Sequence, residues 1–400
     1  MKRITFLNPI GTIGGAEQVL LLMMRSAIQA EYTVTLILMD DGPLRQVASS
    51  IGAHVIVSQL PSQLSGLGDT QFRNAKSIRS SFALAWSVAA RIPSMLSVLN
   101  KLKSYVRKSR PDLLYSNGLK THLLSGFVRP RGIPVFWHVH DYYSQRPAVK
   151  LLLKYASSSQ VRAVAISRSV GNDVRAVLPK IQTEVVLNAV DLNRFKPGVA
   201  PDNLLETLAG VSWGSQEYLR VGIVATYANW KGHVTFLRAF QKALMVQPNL
   251  RGFIIGGPIY KTQGSQVTRE ELEREAIELG ISEKVGFVPF QANTEDIYRS
   301  LDIFVHASTR PEPFGLTIAE AMACGRAVVV SSAGGAIELF DEGVSAVGHT
   351  PGNVDELADA ISMLANDAAL RQAIGSNARG HAIEHFHEER FSRDWLKAIG

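Results

Sequence analysis

Two carboxylates eight positions apart, Glu312 and Glu320, bracket the short segment Pro313-Phe314-Gly315-Leu316-Thr317. An apolar run, Ile303-Phe304-Val305-His306, precedes them, and a helical run, Ala321-Met322-Ala323, follows. That order reads as strand, turn, helix. Pro313 and Gly315 force the turn. The amides of Phe314 to Thr317 then open a helix, and a helix N-terminus attracts anions. Amides for a phosphate, with a carboxylate before and after them, suit a phosphorylated sugar. The carboxylates can accept hydrogen bonds from hydroxyl groups on both sides of the phosphate. A bare pair of glutamates reads more readily as a surface loop and an ordinary helix; the strand before, the helix after and the partner motifs along the chain reverse that reading.

Further residues of this kind lie along the chain. The stretch Asn8-Pro9-Ile10-Gly11-Thr12-Ile13-Gly14-Gly15-Ala16-Glu17 follows the first apolar run and opens a helix. Its spacing is not the dinucleotide fingerprint, yet Gly14 and Gly15 permit close backbone approach to a phosphate. His138 and His140-Asp141 stand at the end of another strand-like run, and that position favours a functional role for His140 over His138. Lys231-Gly232 follows the run Val221–Val224 and offers an ammonium for an anion. Ile254-Ile255-Gly256-Gly257 closes a strand in a glycine turn, and Val288 follows the next strand.

Taken together these motifs resemble the retaining glycosyltransferases of family 4, which have the GT-B fold. The resemblance rests on Glu312-x7-Glu320 with Phe314-Gly315 inside it, Gly14-Gly15-Ala16-Glu17, His140-Asp141, Lys231-Gly232 and Gly334-Gly335-x-x-Glu338. It implies a nucleotide-sugar donor, commonly a uridine one, with Glu320 on the ribose, Glu312 on the sugar and Lys231 on the diphosphate. His140 would meet the donor sugar, Gly14 and Gly15 the diphosphate, and Gly256 and Val288 the nucleotide. The amides of Phe314, Gly315, Leu316 and Thr317 would share the leaving charge. Glu312 would position the donor rather than attack it. The family usually has an arginine where this chain has Thr226, so one cation is missing there; Arg310 is the candidate substitute. No cofactor and no metal are implied, and no Asp-x-Asp occurs in the chain.

The elements that must hold these residues alternate strand and helix in two series. Strand-like runs lie at Ile4–Leu7, Thr33–Leu38, Ala53–Val57, Leu113–Ser116, Val135–His138, Ala163–Ala165 and Thr183–Leu187. A second series runs through Leu219–Val224, Gly252–Ile255, Val285–Phe287, Ile303–Val305, Ala327–Val330 and Val344–Val347. Two doubly wound, Rossmann-like parallel sheets follow, with ligands at the carboxyl ends of the strands and a cleft between domains. The expected domains are 1–195 for the acceptor and 196–380 for the donor, with residues 381–400 packing back on the first through Phe386, Phe391 and Trp395.

Composition fits a globular protein: 400 residues, 46% hydrophobic and 19% charged. A single cysteine, Cys324, cannot form a disulfide within the chain and reads as a packed helix residue in a reducing compartment. No run reaches the length of a membrane span, and the N-terminal residues enter a strand rather than a leader, which points to the cytoplasm. Charge is uneven: residues 1–195 carry a net +14 and residues 196–400 a net −7. Residues 71–110 hold nine basic residues and no acidic one. Two readings stand for this segment: an anionic membrane surface at the inner face of the cell membrane, with Phe82 and Trp86 dipping in, or a solvated face. No nucleic-acid motif accompanies the charge. His381, Glu384, His385 and His387 could be read as a metal cluster, but a solvated helix end is the simpler reading. The expected activity is hexose or hexuronate transfer to a saccharide or lipid-linked acceptor in polysaccharide or glycolipid assembly. Two rivals are a GT-B nucleotide-sugar 2-epimerase, against which the Glu312/Glu320 pattern argues, and a degenerate non-catalytic binding protein, which Thr226 keeps open.

Overall fold

A computed structural model describes residues 2–59, 92–158, 160–214, 217–258 and 266–400. Two compact units are present: Met1–Leu187 with Phe391–Gly400, and Asn188–Arg390. Both are parallel α/β sheets of the expected class.

In the first unit seven strands lie in the order β3-β2-β1-β4-β5-β6-β7. They are β1 (Arg3–Asn8), β2 (Thr33–Leu38), β3 (His54–Val57), β4 (Leu113–Asn117), β5 (Val135–Val139), β6 (Val161–Ala165) and β7 (Gln182–Val185). The central strands read as continuous apolar runs because helices cover both faces of a parallel sheet. Strand order reverses between β1 and β4, which pair in parallel. A crevice at the carboxyl ends of those two strands is where such sheets bind ligands. Asn8 ends β1 and Asn117 ends β4, so both stand at that point.

The second unit has six strands in the order β10-β9-β8-β11-β12-β13. They are β8 (Leu219–Val224), β9 (Leu250–Ile255), β10 (Val285–Val288), β11 (Ile303–His306), β12 (Ala327–Ser331) and β13 (Val347–His349). Here the reversal falls between β8 and β11. The segment carrying Lys231 leaves β8, and the segment carrying Glu312 leaves β11. Gly232 locks the two together. Its φ is +77°, and a Cβ built there would lie 1.8 Å from the Ala307 carbonyl oxygen, so only glycine permits this crossing.

The last strand differs from the expected Val344–Val347. Val344 is exposed, in a turn where its amide donates to the Asp341 carbonyl and Gly343 takes a φ of +69°. Ala346 and Val347 carry the burial that made the stretch read as a strand.

The expected boundary at 195 falls inside the second unit, which begins at Asn188. Arg299 donates to the Arg194 and Lys196 carbonyls at 2.7 and 2.9 Å, and Arg379 donates to the Phe195 carbonyl at 3.0 Å. The C-terminal aromatic residues are divided. Phe386 packs near Phe314 in the second unit, ring centroids 6.1 Å apart. Phe391 and Trp395 lie on the helix Glu388–Ile399, and residues 391–400 belong to the first unit. Of the basic segment 71–110, residues 71–91, Phe82 and Trp86 among them, lie outside the described residues. The rest forms the whole of the helix Ile92–Ser109 and ends at Arg110; Leu102 and Val106 of that helix are buried. Among the described residues, no helix is long and apolar enough to cross a membrane.

Candidate functional site

Four side chains converge at the carboxyl end of β11. Lys231 Nζ donates to both oxygens of Glu312, at 3.0 and 2.8 Å. Ser308 Oγ donates to Glu312 Oε2 at 2.9 Å, and His306 Nε2 stands 3.2 Å from the same oxygen. Burial opposes the charge on Glu312, but the adjacent ammonium and the His306 hydrogen bond hold its carboxyl well below the usual range. Glu312 is therefore a fixed carboxylate and not a proton donor. Its backbone is pinned as well: the Glu312 amide donates to the Ala333 carbonyl at 3.2 Å, and the Gly335 amide donates to the Glu312 carbonyl at 2.6 Å. The Gly334-Gly335 turn thus braces this loop, and Glu338 ends the short helical turn Gly335–Glu338.

Gly315, at φ +105°, ends the loop and caps the helix Leu316–Ala323. The Ile318 and Ala319 amides donate back to the Gly315 carbonyl, which leaves those of Leu316 and Thr317 as first-turn donors. Phe314 is buried beneath them. Glu320 lies one turn further along. Tyr298 donates to its Oε2 at 2.7 Å, and burial raises its carboxyl to about 7. Tyr298 is itself held edge-on against Phe195 and Phe304, with centroids 6.0 and 5.6 Å away.

The other expected residues of the second unit line the same strand ends. Thr226 is half-buried just beyond β8, and its carbonyl accepts from the Ala228 amide. The Gly256 amide donates to the Val288 carbonyl at 3.1 Å, which joins the ends of β9 and β10. Arg310 is exposed in the loop before Glu312. Cys324 is buried, and burial pushes its thiol up to about 12, as a packing residue requires.

The first unit has its own polar chain at the β1/β4 reversal. His140 Nε2 meets Asn117 Oδ1, Asn117 Nδ2 donates to Asn8 Oδ1 at 2.8 Å, and Asn8 Nδ2 donates to the Ile10 carbonyl at 2.7 Å. Burial depresses His140 to about 4, so the ring is neutral. With Nε2–H given to Asn117, Nδ1 remains an acceptor. His138 plays a different part. The Trp395 indole donates to Tyr115 Oη at 2.9 Å, and the Tyr115 hydroxyl donates to His138 Nδ1 at 2.8 Å. Gly14 caps the helix Gly15–Gln29, and its amide is already given to Glu17 Oε2 at 3.1 Å.

Motif spacing singled out neither His306, Ser308, Tyr298, Asn8 nor Asn117. Ser308 and His306 did stand in the segment around Glu312, and their place at a strand's carboxyl end is the signal that could have found them. Among the described residues no group of three or more His, Cys, Asp or Glu side chains could hold a metal ion. His381 instead lies 3.5 Å from Asp341, and His387 lies 3.0 Å from Glu389.

Comparison with known proteins gives the family and the fold. Over 224 residues the chain is 33% identical to a D-inositol 3-phosphate glycosyltransferase of Actinosynnema mirum, covering 54% of this chain and 51% of that one. It thus spans about half the length of that relative. It is 27% identical over 307 residues to the lipopolysaccharide core biosynthesis mannosyltransferase LpsB of Rhizobium meliloti, covering 72% of this chain and 84% of the other. Among solved structures, Anabaena HepE in complex with UDP and glucose superposes with a TM-score of 0.79 at 23% identity, over 100% of this chain and 99% of that one. At that identity the likeness speaks for the fold, which is GT-B. The family profile described as Glycosyltransferase Family 4 matches residues 13–194, and the one described as Glycosyl transferases group 1 matches residues 213–381. Between them the two profiles match most of both α/β units, and the chain belongs to the group 1, family 4 glycosyltransferases.

Proposed function

We propose that this chain moves a hexose or hexuronic acid from a nucleotide-sugar, UDP-linked, to a saccharide or lipid-linked saccharide acceptor, with retention of anomeric configuration. The observation that carries the reading is the cluster at the β8/β11 reversal. Lys231, Glu312, the first-turn amides of Leu316 and Thr317, and Glu320 all stand at one set of strand ends. Relatives point the same way: HepE is described in complex with UDP-glucose, and LpsB is described as a mannosyltransferase.

Each group has a part. Glu320 accepts hydrogen bonds from ribose hydroxyls, and Gly256 and Val288 border the nucleotide. Glu312, held ionised, accepts from the sugar hydroxyls. Lys231, already bonded to Glu312, shares its protons between that carboxylate and the diphosphate. Charge on the leaving diphosphate is met by Lys231, the amides following Phe314 and Arg310, in a site where such donors are pre-aimed. Thr226 supplies no charge, and Arg310 takes the place of the missing cation. In the first unit neutral His140 offers Nδ1 to a donor hydroxyl, and Gly14 and Gly15 bring backbone near the diphosphate. The bond from the anomeric carbon to the phosphate oxygen breaks. The acceptor oxygen bonds to that carbon on the same face, and its proton passes to the leaving phosphate. No side-chain base is needed, and Glu312 does not form a covalent intermediate. No metal takes part in this scheme. The acceptor meets the basic first unit, at the cytoplasmic face of a membrane.

The test is release of nucleotide from a panel of nucleotide-sugars, with and without EDTA, by wild type, Glu312→Ala and Lys231→Ala. One donor should be turned over, insensitively to EDTA, and each variant should lose about a hundredfold or more. Binding without release, even with membrane lipid extract supplied as acceptor, would mean a degenerate scaffold. Neither binding nor release from any donor would end the transferase reading.

A further inference from the structure

The helices Ile92–Ser109, Leu119–Val128 and Pro147–Ala156 follow crossovers that all run from β3 toward β7. Right-handed crossovers in one direction place them on one face of the first sheet. Successive pairs are in contact. Gly126 makes the second contact close, since a Cβ there would lie 2.7 Å from the Ala156 carbonyl oxygen.

The outward side of this face is unusual. On the helix Pro147–Ala156, Leu153 and Ala156 are buried against the protein, while Leu151, Leu152 and Tyr155 are 58%, 51% and 79% exposed. Phe127, on the neighbouring helix beside Gly126, is 61% exposed. Leu152 to Tyr155 and Leu151 to Tyr155 are helical i,i+3 and i,i+4 neighbours, so they form one apolar stripe. Lys150 and Lys154, both exposed, flank it. Charge along the whole region is one-sided. Residues 92–160 contain eleven Lys or Arg and only two acidic residues, Asp112 and Asp141. Each of those two is paired with an arginine, Arg3 and Arg146.

Single exposed apolar residues need no explanation, but a contiguous group does. Large exposed apolar side chains rimmed by lysines match an interfacial helix, whose apolar face enters the headgroup region while its cations meet anionic lipid. A protein partner would have to be acidic as well as apolar. A second copy of this chain would bring the same cations against themselves.

We propose that Phe127, Leu151, Leu152 and Tyr155, with Lys150 and Lys154, form a surface by which the first unit docks on an anionic bilayer. This rests on the reading above and narrows its acceptor to the lipid-linked kind, with the contact on the helix Pro147–Ala156. Docking there would hold the enzyme at the surface where such an acceptor lies.

The test is flotation with phosphatidylglycerol–phosphatidylcholine vesicles and with phosphatidylcholine vesicles, comparing wild type, Leu151→Ser/Leu152→Ser/Tyr155→Ser and Lys150→Glu/Lys154→Glu. Wild type should float with the anionic vesicles, less so as salt rises, and hardly with the neutral ones. The lysine pair should weaken binding by roughly twentyfold or more, taking about fivefold per lysine lost near the surface. The apolar triple should lose binding while circular dichroism and binding of UDP stay as in wild type, because all three side chains point away from the core. Wild type that ignores anionic vesicles, or variants that float as wild type does, would overturn the proposal. So would a dimer of wild type in solution that the apolar triple breaks. Flotation needs no turnover, so a chain that floats but releases no nucleotide fails only the transferase reading, and the converse result fails only this one.

Discussion

Glu320 is the residue whose chemistry is most open to measurement. Burial raises its carboxyl to about 7, against an ordinary value of 4.5, and Tyr298 is its hydrogen-bond donor. The sign follows directly. A raised folded-state value means the ligand-free protein holds this proton more tightly than the unfolded chain does. Its contribution to stability is complete below about 4.5 and is lost as pH rises through about 7. Binding of ribose hydroxyls runs the other way, since they donate to the ionised form. UDP affinity should fall as pH drops from 8 toward 5, by up to about tenfold per unit below 7. Tyr298→Phe should move that fall to higher pH, because it removes a hydrogen bond to the carboxylate, and Glu320→Gln should flatten it. Titration calorimetry across that range decides the matter; a profile unchanged in Glu320→Gln would remove Glu320 from the nucleotide site. At this scale the sequence was legible in part. Glu312 and Glu320 stood out because they share one short segment. The pairing of Glu312 with Lys231, and the chain from His140 through Asn117 to Asn8, join residues that only the meeting of separate strand ends brings together.

The elements themselves were legible wherever burial is two-sided. Parallel strands under helices on both faces read as unbroken apolar runs, and β2 and β8 fall on the expected residues. Val344 misled because a valine in a tight turn looks like the first residue of a strand. The C-terminal helix Glu388–Ile399 shows what a single element can carry. Trp395 is fully buried against the first sheet, edge-on to Tyr115 at 5.6 Å and stacked with Phe6 at 6.2 Å. Its indole also supplies the hydrogen bond that frees the Tyr115 proton for His138. Trp395→Ala should therefore cost about 3–5 kcal/mol in the first unit. Because the chain has two units, one unfolding free energy would blur the effect. Amide hydrogen exchange resolves it: β1 and β4 should exchange faster while β8 and β11 keep their rates. Equal loss of protection in both units would mean that the helix supports more than the sheet it covers.

For the whole molecule, charge and ligand chemistry divide along the chain. The first 195 residues carry the net +14 and the remainder the net −7, yet the proposed donor is an anion bound by the second unit. The division is consistent only if local groups, not net charge, attract the donor: Lys231, the helix amides after Gly315 and Arg310 against a unit of the wrong overall sign. Hydrogen exchange with and without UDP tests this directly. A ligand at 100 times its dissociation constant adds about 2.7 kcal/mol to whatever folded body it binds. Amides of β8, β9, β11 and β12 that exchange only through opening of the second unit should slow by roughly a hundredfold, with the segment 312–320 protected locally. The core of the first unit, β1, β4 and β5, should slow far less, by what the Gly14-Gly15 contact with the diphosphate adds. Protection confined to β1 and β4 would leave the donor on the Gly14-Gly15 loop and the His140 network alone, without the Lys231 and Glu312 cluster, and would reverse the roles assigned to the two units.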